Sequence, residues 1–341
     1  MHTGVAGTGV VAVLRGAPGG RAIGLRADID ALPIEEATGL PWSSKAAGRM
    51  HACGHDGHTA MLLGAARYLA ETRNFAGTVH LIFQPAEEKG GGGRVMIEDG
   101  LFERFPVDQV FGLHNWPYIP TGSFAMCAGP AMAASDELTI TIAGEACHAA
   151  MPHRGKDPVV ASALLIQALQ PLVAREVDPL DNAVVSITRI AGGHAYNIVP
   201  DRVELWGTIR TFDEATRDRL IRRVEEVARG VGLAQGVAIS VTMSPGYPAT
   251  VNTAHEAALG ANVAAEIVGE AQVDRAPAPS MAAEDFAFML RQRPGSYIWL
   301  GTGVPDAPTQ LHSPHYDFND AALSIGVSYW VRLVERLLPR A

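Results

Sequence analysis

Short runs of β-branched and other apolar residues recur along the first third of the chain. These runs, which predict strands, are Thr8–Leu14, Ala22–Arg26, Thr78–Gln84 and Gln109–His114. Between them, apolar residues of His58–Thr72 recur at helical intervals, so this segment predicts an amphipathic helix. Strands that alternate with helices are typical of an α/β layer structure.

The pattern changes at Asp136, after which six segments follow one another in the order β-α-β-β-α-β. They are Glu137–Ala143, Pro158–Glu176, Ala183–Ile190, Val203–Thr211, Glu214–Gly232 and Val237–Met243. This order is that of a ferredoxin-like α+β domain. After this unit the α/β pattern of the first third resumes. It predicts helices at Ala254–Val268, Glu284–Leu290 and Asp320–Leu338 and a strand at Ser296–Leu300. The sequence therefore predicts an α/β domain, residues 1–133 and 245–341, interrupted by an α+β insertion at residues 134–244.

Composition and charge narrow the class of protein. Of 341 residues, 48% are hydrophobic and 18% charged, which is typical of a globular chain, and the formal net charge of −9 argues against nucleic-acid binding. The most apolar stretch, Pro158–Ala174, is interrupted by polar residues and Pro171, so it predicts a buried helix rather than a membrane span. The first residues resemble a strand rather than a signal peptide, and three cysteines without CxxC spacing indicate no disulfide framework. We therefore expect a cytoplasmic protein with neither a membrane nor a nucleic acid as partner.

Residues of metal-binding type cluster just before the first predicted helix. Cys53 and His55 are two positions apart, so on an extended segment both side chains would face the same side. Thiolate and imidazole are preferred ligands of borderline-soft metals such as zinc. Taken alone, the segment is equally consistent with a polar loop that contains one buried cysteine.

Two adjacent carboxylates, Glu87 and Glu88, follow a strand-like apolar run directly. The carboxyl ends of strands are where α/β folds place their sites, and carboxylates this close repel each other unless a cation lies beside them. One could bind a metal while the other transfers a proton. The alternative is a solvated acidic pair at the start of a helix. The glycines of Gly90–Gly93 would open that helix close to a ligand.

Two distant histidines extend this set of candidates. His114 ends a predicted strand, and His312 lies in a loop near the C-terminus. Either histidine alone is more often structural than a ligand. Together the candidates exceed what one tetrahedral zinc needs and indicate two metals that share a site. A cysteine-nucleophile hydrolase built on Cys53 would leave the paired carboxylates and these two histidines unexplained.

Several motifs in a fixed order make the chain resemble a known family. The motifs are Arg26–Pro33, His51–His58, Gln84–Glu88, His114–Asn115, Cys147–His153, Asn197–Pro200 and Leu311–Asp317. Together they resemble the metal-dependent amidohydrolases that include hippurate hydrolase, bacterial N-acyl-amino-acid aminoacylases and plant auxin–amino-acid conjugate hydrolases. The resemblance covers essentially the whole chain. It implies a zinc-peptidase-like catalytic domain with an inserted lid domain that usually dimerises.

The resemblance also implies a role for each candidate site residue. The implied metal ligands are Cys53, His55, Glu88, His114 and His312. Glu87 is the implied general base, and Asp30 is implied to orient a metal-bound histidine. In the lid, His148 is implied to reach a neighbouring subunit's active site and support the oxyanion. Asn197 and Arg210 are implied to hold the substrate carboxylate, for which a planar guanidinium is well suited.

From this resemblance we expect a dinuclear metal hydrolase that cleaves the amide bond of N-acyl-L-amino acids. The two divalent metals would be manganese or zinc, although cobalt and nickel also tolerate mixed S/N/O ligands. A homodimer formed through the lid, or a tetramer, is the expected assembly. The alternatives are a dipeptidase or carboxypeptidase on the same metal site and a non-catalytic binding protein on a decayed scaffold. Family members usually carry a further segment before the one that matches Thr8–Gly16, so we expect a helix that covers core surface to be missing.

Overall fold

The structure, a computed structural model, describes residues 1–304 and 310–340 and divides them into two compact units. The first unit comprises Met1–Ala131, Thr250–Pro279 and the described residues from Glu284 onward. The second comprises Met132–Ala249 together with Ser280–Ala283. The insertion predicted at residues 134–244 lies within the second unit, which extends beyond it at both ends and also takes up a short later segment.

The strands and helices of the described residues are numbered here in chain order. The strands are β1 (His2–Val5), β2 (Gly9–Arg15), β3 (Ala17–Asp28), β4 (Ala76–Gln84), β5 (Gln109–Pro120), β6 (Phe124–Ala125), β7 (Gly129–Met132), β8 (Ala134–Ala143), β9 (Cys147–His148), β10 (Ala183–Gly192), β11 (Ile198–Val199), β12 (Arg202–Thr211), β13 (Ala238–Pro245), β14 (Thr250–Asn252), β15 (Val273–Asp274) and β16 (Gly295–Gly303). The helices are α1 (His55–Thr72), α2 (Gly92–Glu98), α3 (Leu101–Arg104), α4 (Pro158–Glu176), α5 (Glu214–Gln235), α6 (Ala254–Val268), α7 (Ala287–Leu290) and α8 (Leu323–Leu337).

The first unit is built on an eight-stranded mixed sheet in the order β1-β2-β4-β3-β5-β16-β6-β15. Its centre is parallel, since β3 pairs in parallel with both β4 and β5, and β5 pairs in parallel with β16. Parallel strands place their carboxyl ends at the same edge of a sheet, where α/β folds bind ligands. The segments that follow β3 and β4 carry candidate site residues, so the topology brings those segments to one edge.

Helices α1, α6 and α8 cover apolar surface of this sheet. The predicted apolar face of α1 is confirmed, because Met61, Leu62 and Leu69 are fully buried in the core. On α8, Trp330 and Leu333 are buried in the same cluster. Burial of side chains of this size stabilises the fold by roughly 1.5–3 kcal/mol each. The large apolar core of this unit is thus formed between the sheet and helices α1, α6 and α8.

The second unit is the predicted ferredoxin-like domain. Its main sheet has four strands, which pair in the order β10-β12-β8-β13, all antiparallel, and the short strands β9 and β11 pair separately. Helices α4 and α5 supply buried residues such as Leu165 and Leu220 to a core shared with Ile140 of β8. The α/β fold class with an inserted α+β domain is therefore confirmed.

Helix α4 is long and apolar enough to cross a membrane, judged by length and composition alone, and among the described residues it is the only such helix. One face of α4 is packed, because Ala161, Leu165 and Leu169 lie in the core of the second unit. Val160, on another face, is 51% exposed. The prediction of a buried helix therefore holds for the packed face and is wrong for the face that carries Val160. A single amphipathic helix packed on a sheet is weak evidence for a membrane span.

The contact of α8 with α1 generates a stability prediction. A Cβ added at Gly326 would lie 1.9 Å from Sδ of Met61, which is itself fully buried and has little room to move. We expect Gly326→Ala to lower the free energy of unfolding by about 1–3 kcal/mol, measured by urea denaturation. The matched control is Gly230→Ala in α5, where an added Cβ meets no atom within 4 Å, so stability should rise by ~0.4–1 kcal/mol. Equal destabilisation by both variants would contradict this account.

Candidate metal centre

Cys53 and His55 lie on either side of a glycine with left-handed backbone. Cys53 occupies a turn, and His55 is the first residue of α1. Gly54 has a φ of +85°, and a Cβ there would lie 2.4 Å from Oδ1 of Asn115, so glycine is required on both counts. The prediction of an extended segment is wrong here. A left-handed turn, rather than a pleated strand, brings the thiol and the imidazole together.

The two adjacent glutamates follow β4 in a tight turn that leads into α2. Ala86 has a φ of +56°, and a Cβ at Gly92 would lie 1.7 Å from the carbonyl oxygen of Pro85. Gly92 is also the first residue of α2, so the prediction that this glycine run opens a helix is confirmed. The close turn separates the two carboxylates: Glu87 is buried, whereas Glu88 is partly exposed.

The two distant histidines reach the site from a strand and from a loop. The sequence predicted that His114 ends its strand, and this is wrong, because β5 continues to Pro120. Its pairing with β16, which sets Trp299 opposite His114, shifts register only after Trp116. His312 has a φ of +64°, which is uncommon for a residue with a side chain. Its backbone N–H donates to the carbonyl oxygen of Ala52 at 2.8 Å, and this bond ties the His312 loop to the turn that holds Cys53.

The structure brings all five predicted ligands into one continuous array. The ligand atoms of Cys53, His55 and Glu88 lie within 4.8 Å of one another. His114 Nε2 lies 3.5 Å from the Cys53 sulfur, and His312 Nε2 lies 3.2 Å from Glu88 Oε1. A thiol, three imidazoles and a carboxylate therefore converge from four separate segments of the chain.

One orphaned polar atom tests whether these residues fit a metal. His55 Nε2 is buried without a hydrogen-bond partner and lies 4.0 Å from Glu88 Oε1, a buried atom that faces His312 Nε2 at 3.2 Å. Leaving a buried polar atom unpaired typically costs about 1–3 kcal/mol. A divalent cation bound by both atoms would remove that cost, and the mixed S/N/O donor set suits manganese, zinc and related metals. The residues present therefore fit such a cation.

Asp30 contacts two of the predicted metal ligands, His55 and Glu88. Its Oδ1 lies 3.2 Å from His55 Nδ1, and its Oδ2 accepts the backbone N–H of Glu88 at 3.0 Å. A carboxylate on Nδ1 fixes the tautomer and the ring orientation that leave Nε2 free for a metal. This geometry is what the predicted orienting role of Asp30 requires.

Sequence reasoning missed a buried ion-pair cluster beside the glutamates. Arg26 is fully buried, and its guanidinium pairs with Asp28 at 2.8 Å, Glu284 at 2.8 Å and Asp285 at 3.0 Å. The predicted helix Glu284–Leu290 begins later, at Ala287, because the side chains of the two acidic residues before it are held by hydrogen bonds in this cluster. The motif that contains Arg26 was the available signal, but nothing in the sequence showed its distant partners.

Sequence reasoning also missed the buried residues that surround the histidines. Ligand-type atoms of Asp28 and His58 lie within 4.8 Å of atoms of His55 and His114. His58 Nδ1 is hydrogen-bonded to Asp28 Oδ1, and the His58 ring lies against the His114 ring with centroids 4.5 Å apart. His58 is one helical turn after His55, which places both on the buried face of α1.

The charges of this interior shift the pKa values of the groups inside it. Burial, together with the nearby carboxylates of Glu284 and Asp285, raises the pKa of Glu87 well above its usual range. Burial opposes protonation of His55, but Asp28 and Asp30 outweigh it and raise the pKa of His55 to about 9. A carboxylate with a raised pKa accepts protons more readily at neutral pH, which is the property a general base requires.

The three remaining predicted residues belong to the second unit. His148 is exposed on β9, which pairs with β11 so that His148 faces Ile198. The backbone N–H of Ala149 donates to the carbonyl oxygen of Asn197 at 3.0 Å, so Asn197 lies beside this short ribbon. Arg210 lies on β12, where its guanidinium donates to the Thr208 hydroxyl. The structure thus places these residues in the second unit and the ligands, Asp30 and the glutamates in the first.

Comparisons with known proteins show the family to which this chain belongs. Residues 24–336 match Peptidase family M20/M25/M40. The chain is 42% identical over 331 residues to a hippurate hydrolase of Campylobacter jejuni, covering 97% of this chain and 85% of that protein. It is 44% identical over 325 residues to an N-acetyl-L-cysteine deacetylase of Bacillus subtilis, covering 95% of this chain and 76% of that protein.

A solved structure gives the same result at the level of the fold. The crystal structure of the Bacillus subtilis YXEP protein, described as a dinuclear metal binding peptidase from the M20 family, superposes with a TM-score of 0.83. The two chains are 36% identical, and the match covers 97% of this chain and 85% of that one. With the family match spanning nearly the whole chain, these likenesses identify the protein as a member of peptidase family M20/M25/M40.

Proposed function

We propose that this metal-dependent amidohydrolase cleaves N-acyl-L-amino acids to a carboxylate and a free amino acid. The observation that carries the proposal is the convergence of Cys53, His55 and Glu88 around the unpaired buried Nε2 of His55, next to the buried carboxylate of Glu87. Relatives named hippurate hydrolase and N-acetyl-L-cysteine deacetylase support amide hydrolysis of this substrate class.

The array has enough ligands for two divalent metals. The Cys53 sulfur is near ligand atoms of His55, Glu88 and His114, whereas His312 is near Glu88. We expect manganese or zinc, with cobalt or nickel as substitutes. When bound, the metals supply Lewis-acid activation of the amide carbonyl and of water.

Three residues of the second unit complete the proposal. Asn197 and Arg210 would hold the substrate carboxylate, and His148 would stabilise the oxyanion. A donor at the oxyanion is typically worth ~3–4 kcal/mol in the transition state. The exposed position of His148 is compatible with a role toward another subunit, as in the homodimer or tetramer expected from the sequence. The assembly and the cytoplasmic location stay predictions.

A cavity of the first unit borders part of the proposed site. It has a volume of about 370 Å³ and is lined by Asp30, Glu88 and Lys89 together with apolar residues such as Ile29 and Pro33. Ligand pockets usually measure about 300–1,000 Å³ and combine apolar walls with a few polar groups. A small molecule would therefore fit this cavity.

Metal analysis and a substrate panel test the proposed function. Purified protein should contain two divalent metals and hydrolyse N-acetyl and N-benzoyl amino acids. A chelator should abolish this activity, and manganese or zinc should restore it. Activity that survives complete metal removal would instead support a hydrolase with Cys53 as nucleophile. Faster cleavage of dipeptides than of N-acyl amino acids would support the peptidase alternative.

The proposed division of labour between the adjacent glutamates gives a second prediction. Glu87→Gln keeps the side-chain shape but cannot accept a proton, so kcat should fall by roughly 10²-fold or more while both metals stay bound. The matched control is Glu88→Gln, which should lose metal as well as activity. Metal content is measured by elemental analysis of each variant. Near-normal turnover in Glu87→Gln would show that Glu87 is not the base.

Mixing two inactive variants tests the role of His148 and the proposed dimer. Glu87→Gln and His148→Ala fail in different units, so a mixture should regain part of the activity if His148 acts on the metal site of another subunit. Subunit exchange is first verified with differently tagged protomers. If exchange occurs and the mixture stays inactive, then His148 acts within its own chain or has no catalytic role.

A further inference from the structure

A buried hydrogen-bonded chain of four residues runs beside the proposed metal ligands. His58 Nδ1 is hydrogen-bonded to Asp28 Oδ1, and His58 Nε2 accepts the backbone N–H of Asn115 at 2.9 Å and lies 2.6 Å from Asn115 Oδ1. The Asn115 side-chain amide in turn donates to the Tyr316 hydroxyl at 2.7 Å. All four residues are at least 97% buried, with Tyr316 the most exposed at 3%. None of them belongs to the ligand array proposed above.

Each member of this chain lies close in sequence to a proposed metal-site residue. Asp28 is two positions before Asp30, and His58 is one helical turn after His55. Asn115 directly follows His114, and Tyr316 comes four positions after His312. The relay Asp28–His58–Asn115–Tyr316 therefore connects the four segments from which most of the site is built.

The His312 segment depends on this relay more than the others do. The sites of His55 and His114 are fixed by a helix and by a paired strand, whereas His312 lies in a loop with left-handed backbone and a side chain that is 53% exposed. Tyr316 packs with Cys53 and Ala52 in a small buried cluster, which brings the loop against the turn of the first ligand. The Tyr316 hydroxyl is buried at this contact. It can therefore fix the position of the His312 loop in addition to filling space.

We propose that Tyr316 is a positioning residue for one of the two metals. Its hydroxyl, held by Asn115, sets the loop that carries His312 and so determines how well His312 and Glu88 bind a metal together. This inference rests on the proposed function, because it assumes that the array binds two metals. The end of the array at Cys53 and His114 should depend less on the hydroxyl. Tyr316 packs against Cys53, but Cys53 is held by the Gly54 turn that leads into α1, and His114 is held by the pairing of β5 with β16.

Tyr316→Phe isolates the hydroxyl, because the ring and its packing remain. Loss of a contact that orients a metal ligand typically weakens metal affinity 10–100-fold. We therefore expect one of the two metals to bind at least tenfold more weakly, while the other keeps its affinity. Tyr329→Phe is the matched control, because Tyr329 is equally buried but lies in the core cluster with α8 and Trp330, away from the array.

The experiment titrates metal-free protein with cobalt(II) and follows both stoichiometry and the thiolate-to-cobalt absorption of Cys53. The wild type and Tyr329→Phe should bind two equivalents. In Tyr316→Phe the thiolate absorption should develop as in the wild type, and only the second equivalent should shift to higher free metal. A purely structural defect would weaken both equivalents and the absorption together, and this outcome would overturn the proposal.

Identical titrations of Tyr316→Phe and the wild type would also overturn it. A wild type that binds no metal would instead contradict the proposed function, so the two failures are distinguishable. Circular dichroism and the melting temperature of the metal-free variants verify the fold. If Tyr316→Phe does not fold, Asn115→Ala removes the same hydrogen bond from the other side, and the same selective loss is expected.

Discussion

The buried guanidinium of Arg26 is the constraint on which the rest of the candidate site depends. A buried charge is tolerated only when it is paired and hydrogen-bonded, and Arg26 meets this condition with Asp28, Glu284, Asp285 and the Gln84 side chain. These partners come from β3, from the end of β4 and from the segment before α7. Removing one partner would leave an uncompensated charge in the interior, so the three segments are held in one arrangement.

That arrangement determines where the glutamates of the proposed mechanism lie. The Asp285 carboxylate accepts the backbone N–H of Gly93 at 2.8 Å and the side-chain amide of Gln84, which brackets the turn that carries Glu87. The backbone N–H of Asp285 also lies 3.4 Å from Glu87 Oε1. The general base proposed for this enzyme is thus positioned by Asp285 and Gln84, which are not among the proposed metal ligands.

Asp28 joins this cluster to the relay behind the metals. Its Oδ2 pairs with Arg26, while its Oδ1 binds His58. Burial disfavours its charge, but His55, His58 and Arg26 outweigh this and hold the pKa of Asp28 well below its usual range. A single ionised carboxylate therefore connects the network that positions Glu87 with the one that reaches Tyr316. One continuous buried polar network therefore connects the proposed general base with the proposed metal ligands.

Local sequence patterns were sufficient to predict the long helices and the main strands. The helices Pro158–Glu176 and Ala254–Val268 have the same bounds in the structure as in the sequence prediction, because both carry a clear apolar periodicity and recognisable ends. The ferredoxin-like unit could be predicted for the same reason. The two-residue strands β6 and β15 could not be predicted, because they form only by pairing with strands that are distant in the chain.

For the site, the sequence by itself determined which residue types could bind metals and that they recur in a recognisable order. Tertiary structure alone decided how they meet: the left-handed Gly54, the position of His114 inside a strand, and the partners of Arg26 and Asn115. Arg26 and Glu284 are 258 positions apart, and Asn115 and Tyr316 are 201 apart. Periodicity reports only which face of an element is buried, so contacts between such distant segments arise from packing of the whole unit and leave no local pattern to read.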